Sequence, residues 1–217
     1  MITRSCIVCG IPATKSCSSC KTASYCGGEH QKKVGSKNYI PSANFCTYLF
    51  RLQDWRSHKE YCRKVKAAGA NTFDAILFAP DETKPRLVKI PWKLLSGDEY
   101  APGPYHDLDT DVWFKHTPKF IRTMFFHRLG INYGPDLGRQ LCFKYDDNFL
   151  VNGSPLNRCI EEVTGGKAGR RWRGNILGLR MEGYSNDLYA SVNMEEDLKP
   201  FLIWFEECHK FQSARGE

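Results

Sequence analysis

The sequence predicts an α+β protein in two parts: a small metal-braced module over residues 1–66 and an α+β domain with a small mixed or antiparallel sheet over residues 73–217. Three observations carry this reading. Six of the ten cysteines and two of the six histidines stand in the first 62 residues in paired spacing, while Cys46, Cys142, Cys159 and Cys208 are scattered singly. The run Ala-Gly-Ala-Asn at 68–71 interrupts a helical pattern and reads as a linker. Beyond Phe73, short apolar runs and helical segments alternate without a regular βαβ rhythm.

Clustered Cys and His in paired spacing read as metal ligands and not as a disulfide framework. No apolar h-region follows Met1 and no apolar run approaches the roughly 18 residues of a membrane span, so a reducing compartment, nuclear or cytoplasmic, is expected. The net charge of +7 is uneven, with +9 in residues 1–66 and −2 beyond. Those lysines and arginines are read as a solvated surface of the module, so nucleic acid and membrane are not the expected partners.

Element by element, residues 54–68 read as a helix with Asp54 as N-cap. Residues 75–78 and 87–91 read as two strands joined by a polar turn, and 96–110 as a Pro/Gly/Asp-rich loop. An amphipathic helix is expected over 111–128, with strands over 140–145 and 175–180. Glu195 to Asp197 open a last helix over 198–211, whose Phe201, Trp204 and Phe205 should close the core.

Zinc is held by four soft or borderline donors at tetrahedral corners, and a Cys-x2-Cys knuckle supplies two from one tight turn. Cys6-Ile-Val-Cys9 and Cys17-Ser-Ser-Cys20 are such knuckles; Cys26 with His30 and His58 with Cys62 add pairs one helical turn apart. Eight donors make two closed sites, and closed sites are structural because no position is left for water or substrate.

These knuckles, with Tyr25-Cys26, His30-Gln31 and Asp54-Trp55-x-x-His58-Lys59-x-x-Cys62, resemble the MYND zinc finger. The resemblance implies two zinc ions in an interleaved brace: Cys6, Cys9, Cys26 and His30 on one, Cys17, Cys20, His58 and Cys62 on the other. His30 stands where the family usually has Cys. MYND fingers are protein-interaction modules, so the resemblance also implies binding of short proline-rich protein segments in a groove at the positions of Ser18, Gln31 and Trp55.

Residues 34–53 depart from the family pattern as an extra block of twenty. Removing Val34 to Gln53 restores the family spacing between His30 and His58. Val codons begin GT and one Gln codon is CAG, so the block reads as a translated in-frame intron or as a surface insertion. Lengthening the loop costs on the order of 1 kcal/mol of closure entropy. Structural zinc contributes roughly 10–16 kcal/mol per site in finger peptides, so both sites are expected to tolerate the block.

In residues 73–217, neither an Asn-His-x-Cys-x-Pro-Asn nor a Gly-Glu-Glu-Leu block occurs. A SET-type methyltransferase is therefore disfavoured. Thr164-Gly-Gly-Lys167 and Asp146-Asp147-Asn148 read as turns, Cys159 as a buried structural thiol, and Arg170-Arg-Trp-Arg173 as a solvated edge with Trp172 turned inward. Asp81-Glu-Thr-Lys-Pro-Arg86, Asn152-Gly-Ser-Pro-Leu-Asn-Arg-Cys159 and Thr164-Gly-Gly-Lys167 are similar to the C-terminal region of uncharacterised fungal MYND proteins. The expected function is a zinc-binding interaction adaptor and not an enzyme; the alternative is an enzyme with an unrecognised active site in 73–217.

Overall fold

The computed structural model describes residues 11, 13–18, 20, 22–27, 58–97, 99, 103–131, 134–185 and 187–208. The chain divides into two compact units, Met1–Ala70 and Asn71–Glu217.

In the first unit, β1 (Lys15–Ser16) and β2 (Ser24–Tyr25) pair antiparallel, with Lys15 opposite Tyr25. A helix, α1, covers residues 58–68. Tyr25, Tyr61 and Val65 are buried, and the Tyr61 hydroxyl lies 3.0 Å from Thr22 Oγ1. This small core joins the hairpin to the helix.

The second unit is built on one antiparallel sheet of seven strands: β3 (Thr72–Phe78), β4 (Arg86–Leu95), β5 (Tyr105–Leu108), β6 (Ile121–Arg128), β7 (Asp136–Asp146), β8 (Ile176–Met181) and β9 (Tyr189–Ala190). The spatial order is β5-β4-β3-β8-β7-β6, and β9 pairs with β8. At Pro91–Trp92, β4 leaves β3 and takes up β5, with Thr72 opposite Pro91 and Trp92 opposite Leu108. The sheet curls, because β5 meets the β8–β9 end: the His106 N–H donates to Asp187 O at 2.9 Å, and His106 Nδ1 accepts from the Tyr189 N–H at 2.9 Å.

Period-two alternation buries both faces. Ile76, Phe78, Leu141, Phe143, Tyr145 and Ile176 face the long helix, α3 (Met194–Glu207), with Phe201, Trp204 and Phe205. Ala75, Leu77, Val88, Cys142, Leu177 and Leu179 line the other face with Phe114 and Tyr189. A short helix, α2 (Arg158–Val163), is capped by Asn157, whose Oδ1 accepts from the Ile160 N–H at 2.9 Å. Asn157 is fully buried, and its Nδ2 donates to Phe78 O at 3.0 Å and Gly174 O at 2.7 Å, which ties α2 to the sheet.

Gly178 lies at the centre of the sheet under Phe201; a Cβ there would stand 3.0 Å from the ring. The start of α3 is locked by Asn193, which caps Glu195, and by Asp197, whose Oδ2 accepts from the Asn193 N–H at 2.8 Å. Arg139 Nε donates to Asp197 Oδ1 at 2.6 Å. Pro200 cannot donate to the Glu196 carbonyl four residues back. Arg139 Nη2 does so instead, at 3.0 Å.

Three segments differ from the sequence reading. Residues 111–128 hold a turn and then strand β6, not an amphipathic helix. Pro118 breaks a helical run, and Ile121 to Phe126 is a β-branched and aromatic stretch that pairs with Leu141 to Asp146 through the register Phe126↔Leu141 and Ile121↔Asp146. The loop assigned to 96–110 contains strand β5. The last helix starts at Met194, four residues earlier than expected, because Asn193 and not the acidic turn supplies the cap.

Candidate metal centre

Four donors converge in the first unit. Cys17 Sγ, Cys20 Sγ, a ring nitrogen of His58 and Cys62 Sγ all lie within 4.8 Å of one another. Local structure sets each position. The β1–β2 hairpin closes through Thr14 N–H to Tyr25 O at 3.0 Å and Cys17 N–H to Ala23 O at 2.8 Å, which folds the second knuckle back on itself. Thr22 Oγ1 donates to Cys20 O at 2.9 Å and fixes the knuckle's far side. On α1, His58 and Cys62 are one turn apart and so share a face.

Donor chemistry and spacing fit a tetrahedral dication. Zn–S bonds of about 2.3 Å put two thiolates at tetrahedral corners roughly 3.8 Å apart. Cys17 Sγ and Cys62 Sγ are 3.7 Å apart. Three thiols and one imidazole are a common structural zinc set. Burial first, and then the neighbouring Cys20 and Cys17, push the Cys62 thiol up to about 12. Crowded thiols of this kind are stabilised as thiolates by a dication, which replaces like-charge repulsion with attraction. Cys20 is buried, and Cys17, His58 and Cys62 are half-buried.

These four are the residues that the resemblance assigns to one of its two zinc ions. Of the other set, Cys26 is half-buried at the end of the hairpin, where its carbonyl accepts from Thr14 Oγ1 at 2.9 Å. Cys6, Cys9 and His30 lie outside the described residues, as do Gln31 and Trp55 of the expected groove and the block 34–53. Ser18 is exposed at the tip of the second knuckle.

Residues 6–35 match the family model of the MYND finger. The matched segment holds both knuckles, Cys26 and His30, and ends two residues into the extra block, before His58 and Cys62. The MYND match and the four-donor cluster together identify a zinc-finger, metal-binding module at this end of the chain. No curated protein and no solved structure matches the chain.

In the second unit, several residues singled out in the sequence have structural roles. Asp146 accepts from the Phe120 N–H at 2.8 Å, the Asn148 N–H at 3.1 Å and Asn152 Nδ2 at 2.7 Å, so its carboxylate organises two loops. Cys159 is fully buried, and its burial pushes the thiol up to about 12, far from nucleophilic ionisation. Gly165 and Gly166 take φ of 58° and 76° in the turn after α2, and their N–H groups donate to Glu162 O and Glu161 O, leaving none for a phosphate. Trp172 is 1% exposed and turned inward. Asn157, the buried hub, carries no sequence signal beyond its place before an acidic helical turn. No helix of the described residues is long and apolar enough to cross a membrane.

Proposed function

We propose that the chain is a zinc-stabilised protein-interaction adaptor, acting in the cytosol or nucleus, whose MYND finger holds two zinc ions and takes short proline-rich segments of partner proteins. The observation that carries it is the convergence of Cys17, Cys20, His58 and Cys62 within 4.8 Å. These donors come from both sides of the extra block, so the module closes across it. The second ion belongs to Cys6, Cys9, Cys26 and His30. A peptide would lie beside the second knuckle, at Ser18, Gln31 and Trp55, adding backbone hydrogen bonds to an extended edge and placing a proline against the Trp55 indole. Residues 73–217 are then a scaffold without catalytic chemistry.

The test is a titration of the zinc-loaded chain with a proline-rich peptide, comparing wild type with Trp55→Ala. Saturable binding that weakens at least tenfold in Trp55→Ala, with zinc content unchanged, supports the groove. Equal binding by both proteins removes it while leaving the metal site standing.

The end of the MYND match at residue 35 supports residues 34–53 as material added to a finger of ordinary length. Sequencing the spliced transcript separates the two origins: a dominant message without these codons makes the block a retained intron, and one that encodes them makes it a surface insertion.

A further inference from the structure

Where β6 begins and β7 ends, three large apolar side chains stand in water: Phe120, Leu150 and Val151 are 57%, 71% and 76% exposed. Their exposure is built in. The Asp146 hub ties the Phe120 backbone to the 147–152 turn, the Asp147 N–H donates to Phe120 O at 2.8 Å, and Asn152 Nδ2 reaches Pro118 O at 3.3 Å. Large side chains held outward by a saturated hydrogen-bond network mark a contact surface more than scattered apolar residues do.

A basic stretch adjoins this tip. Residues 164–174 contain Lys167, Arg170, Arg171 and Arg173 and no carboxylate. Arg170 lies over the Phe149 ring at 4.7 Å and the Trp172 ring at 4.3 Å, and Arg173 Nη1 donates to Ser154 O at 3.0 Å. Both are therefore fixed against the loop that carries Leu150 and Val151, and Arg171 between them is exposed. Two neighbouring carboxylates are already paired, Asp147 with Arg122 at 3.1 Å and Glu162 with Arg158 at 3.7 Å.

We propose that this surface docks an acidic polypeptide segment carrying large apolar side chains, which seat on Phe120, Leu150 and Val151 while its carboxylates meet Arg170, Arg171 and Arg173. Complementary charge gives orientation and on-rate, and the apolar contacts resist dissociation. A nucleic acid would use the arginines but gain little from Leu150 and Val151. The surface lies wholly in the unit 71–217, so it is independent of the zinc and groove readings.

The test uses the full zinc-loaded chain and a fluorescent 14-residue peptide alternating Leu or Phe with Asp or Glu. The same peptide with Lys for the acids, a single-stranded oligonucleotide and phosphatidylserine-containing vesicles complete the probes. Expected are saturable binding of the acidic peptide alone, weakening with salt, and a loss of about tenfold in both Leu150→Ser/Val151→Ser and Arg171→Glu. These positions are exposed, so an unchanged thermal transition shows that each variant is folded. Equal binding of the basic peptide, unchanged affinity in the folded variants, binding of the oligonucleotide or vesicles only, or no binding at all would each overturn the proposal.

Discussion

At Gly178 the sheet and α3 meet with no room for a side chain, since a Cβ would stand 3.0 Å from Phe201, itself fully buried. Gly178→Val therefore forces the ring or the helix outward, and a loss of about 1–3 kcal/mol is expected in denaturant unfolding. Asp197 has no exposed surface and holds Arg139 at 2.6 Å and the Asn193 N–H at 2.8 Å. Asp197→Asn keeps the shape but leaves Arg139 without its counter-charge, so roughly 3 kcal/mol of stability should go, read from the same unfolding curves. At this scale the sequence is informative for residues whose chemistry is local. Cys17 and Cys20 form a knuckle through their own spacing, and the turn chemistry of Asp146 and Gly165–Gly166 follows from residue type. Asn157 and Gly178 were silent because their roles depend on partners such as Phe78 and Phe201, which the fold brings from elsewhere.

Among the elements, strands 75–78, 87–91 and 140–145 were legible as apolar runs and each lies within a longer strand, while 175–180 is displaced by one residue from β8 at Ile176–Met181. Their pairing was not, because β3 joins β8 through Ile76↔Gly178, about a hundred residues apart, and nothing local records that register. Residues 111–128 were misread because a partly exposed edge strand, β6, imitates an amphipathic helix in its mixture of apolar and charged residues. Both faces of the sheet being buried has a consequence at high pH. Burial pushes the Cys142 thiol from 9.0 up to about 12, so the folded state resists an ionisation that the unfolded chain undergoes freely. The associated stability is intact below pH 9.0 and is lost as pH rises towards about 12. Stability should fall by about 1.4 kcal/mol per pH unit for each such thiol in that window. Urea unfolding at successive pH values should show a shallower fall in Cys142→Ala than in wild type; identical slopes would remove Cys142 from the account.

For the whole molecule, the sequence places a metal-braced module over residues 1–66 and a second domain over 73–217, because the Cys/His pairs end at Cys62 and a linker follows; the chain divides into the compact units Met1–Ala70 and Asn71–Glu217. Which pairs share an ion was not derivable from spacing and came from the MYND resemblance; the cluster of Cys17, Cys20, His58 and Cys62 agrees with one of its two sets. The central claim is that this set binds its own zinc across the block 34–53. Its most direct test is metal analysis of the purified chain beside Cys17→Ser/Cys62→Ser. Two zinc ions per wild-type chain and one in the double variant are the result the account predicts. A double variant with the zinc content of wild type would contradict it.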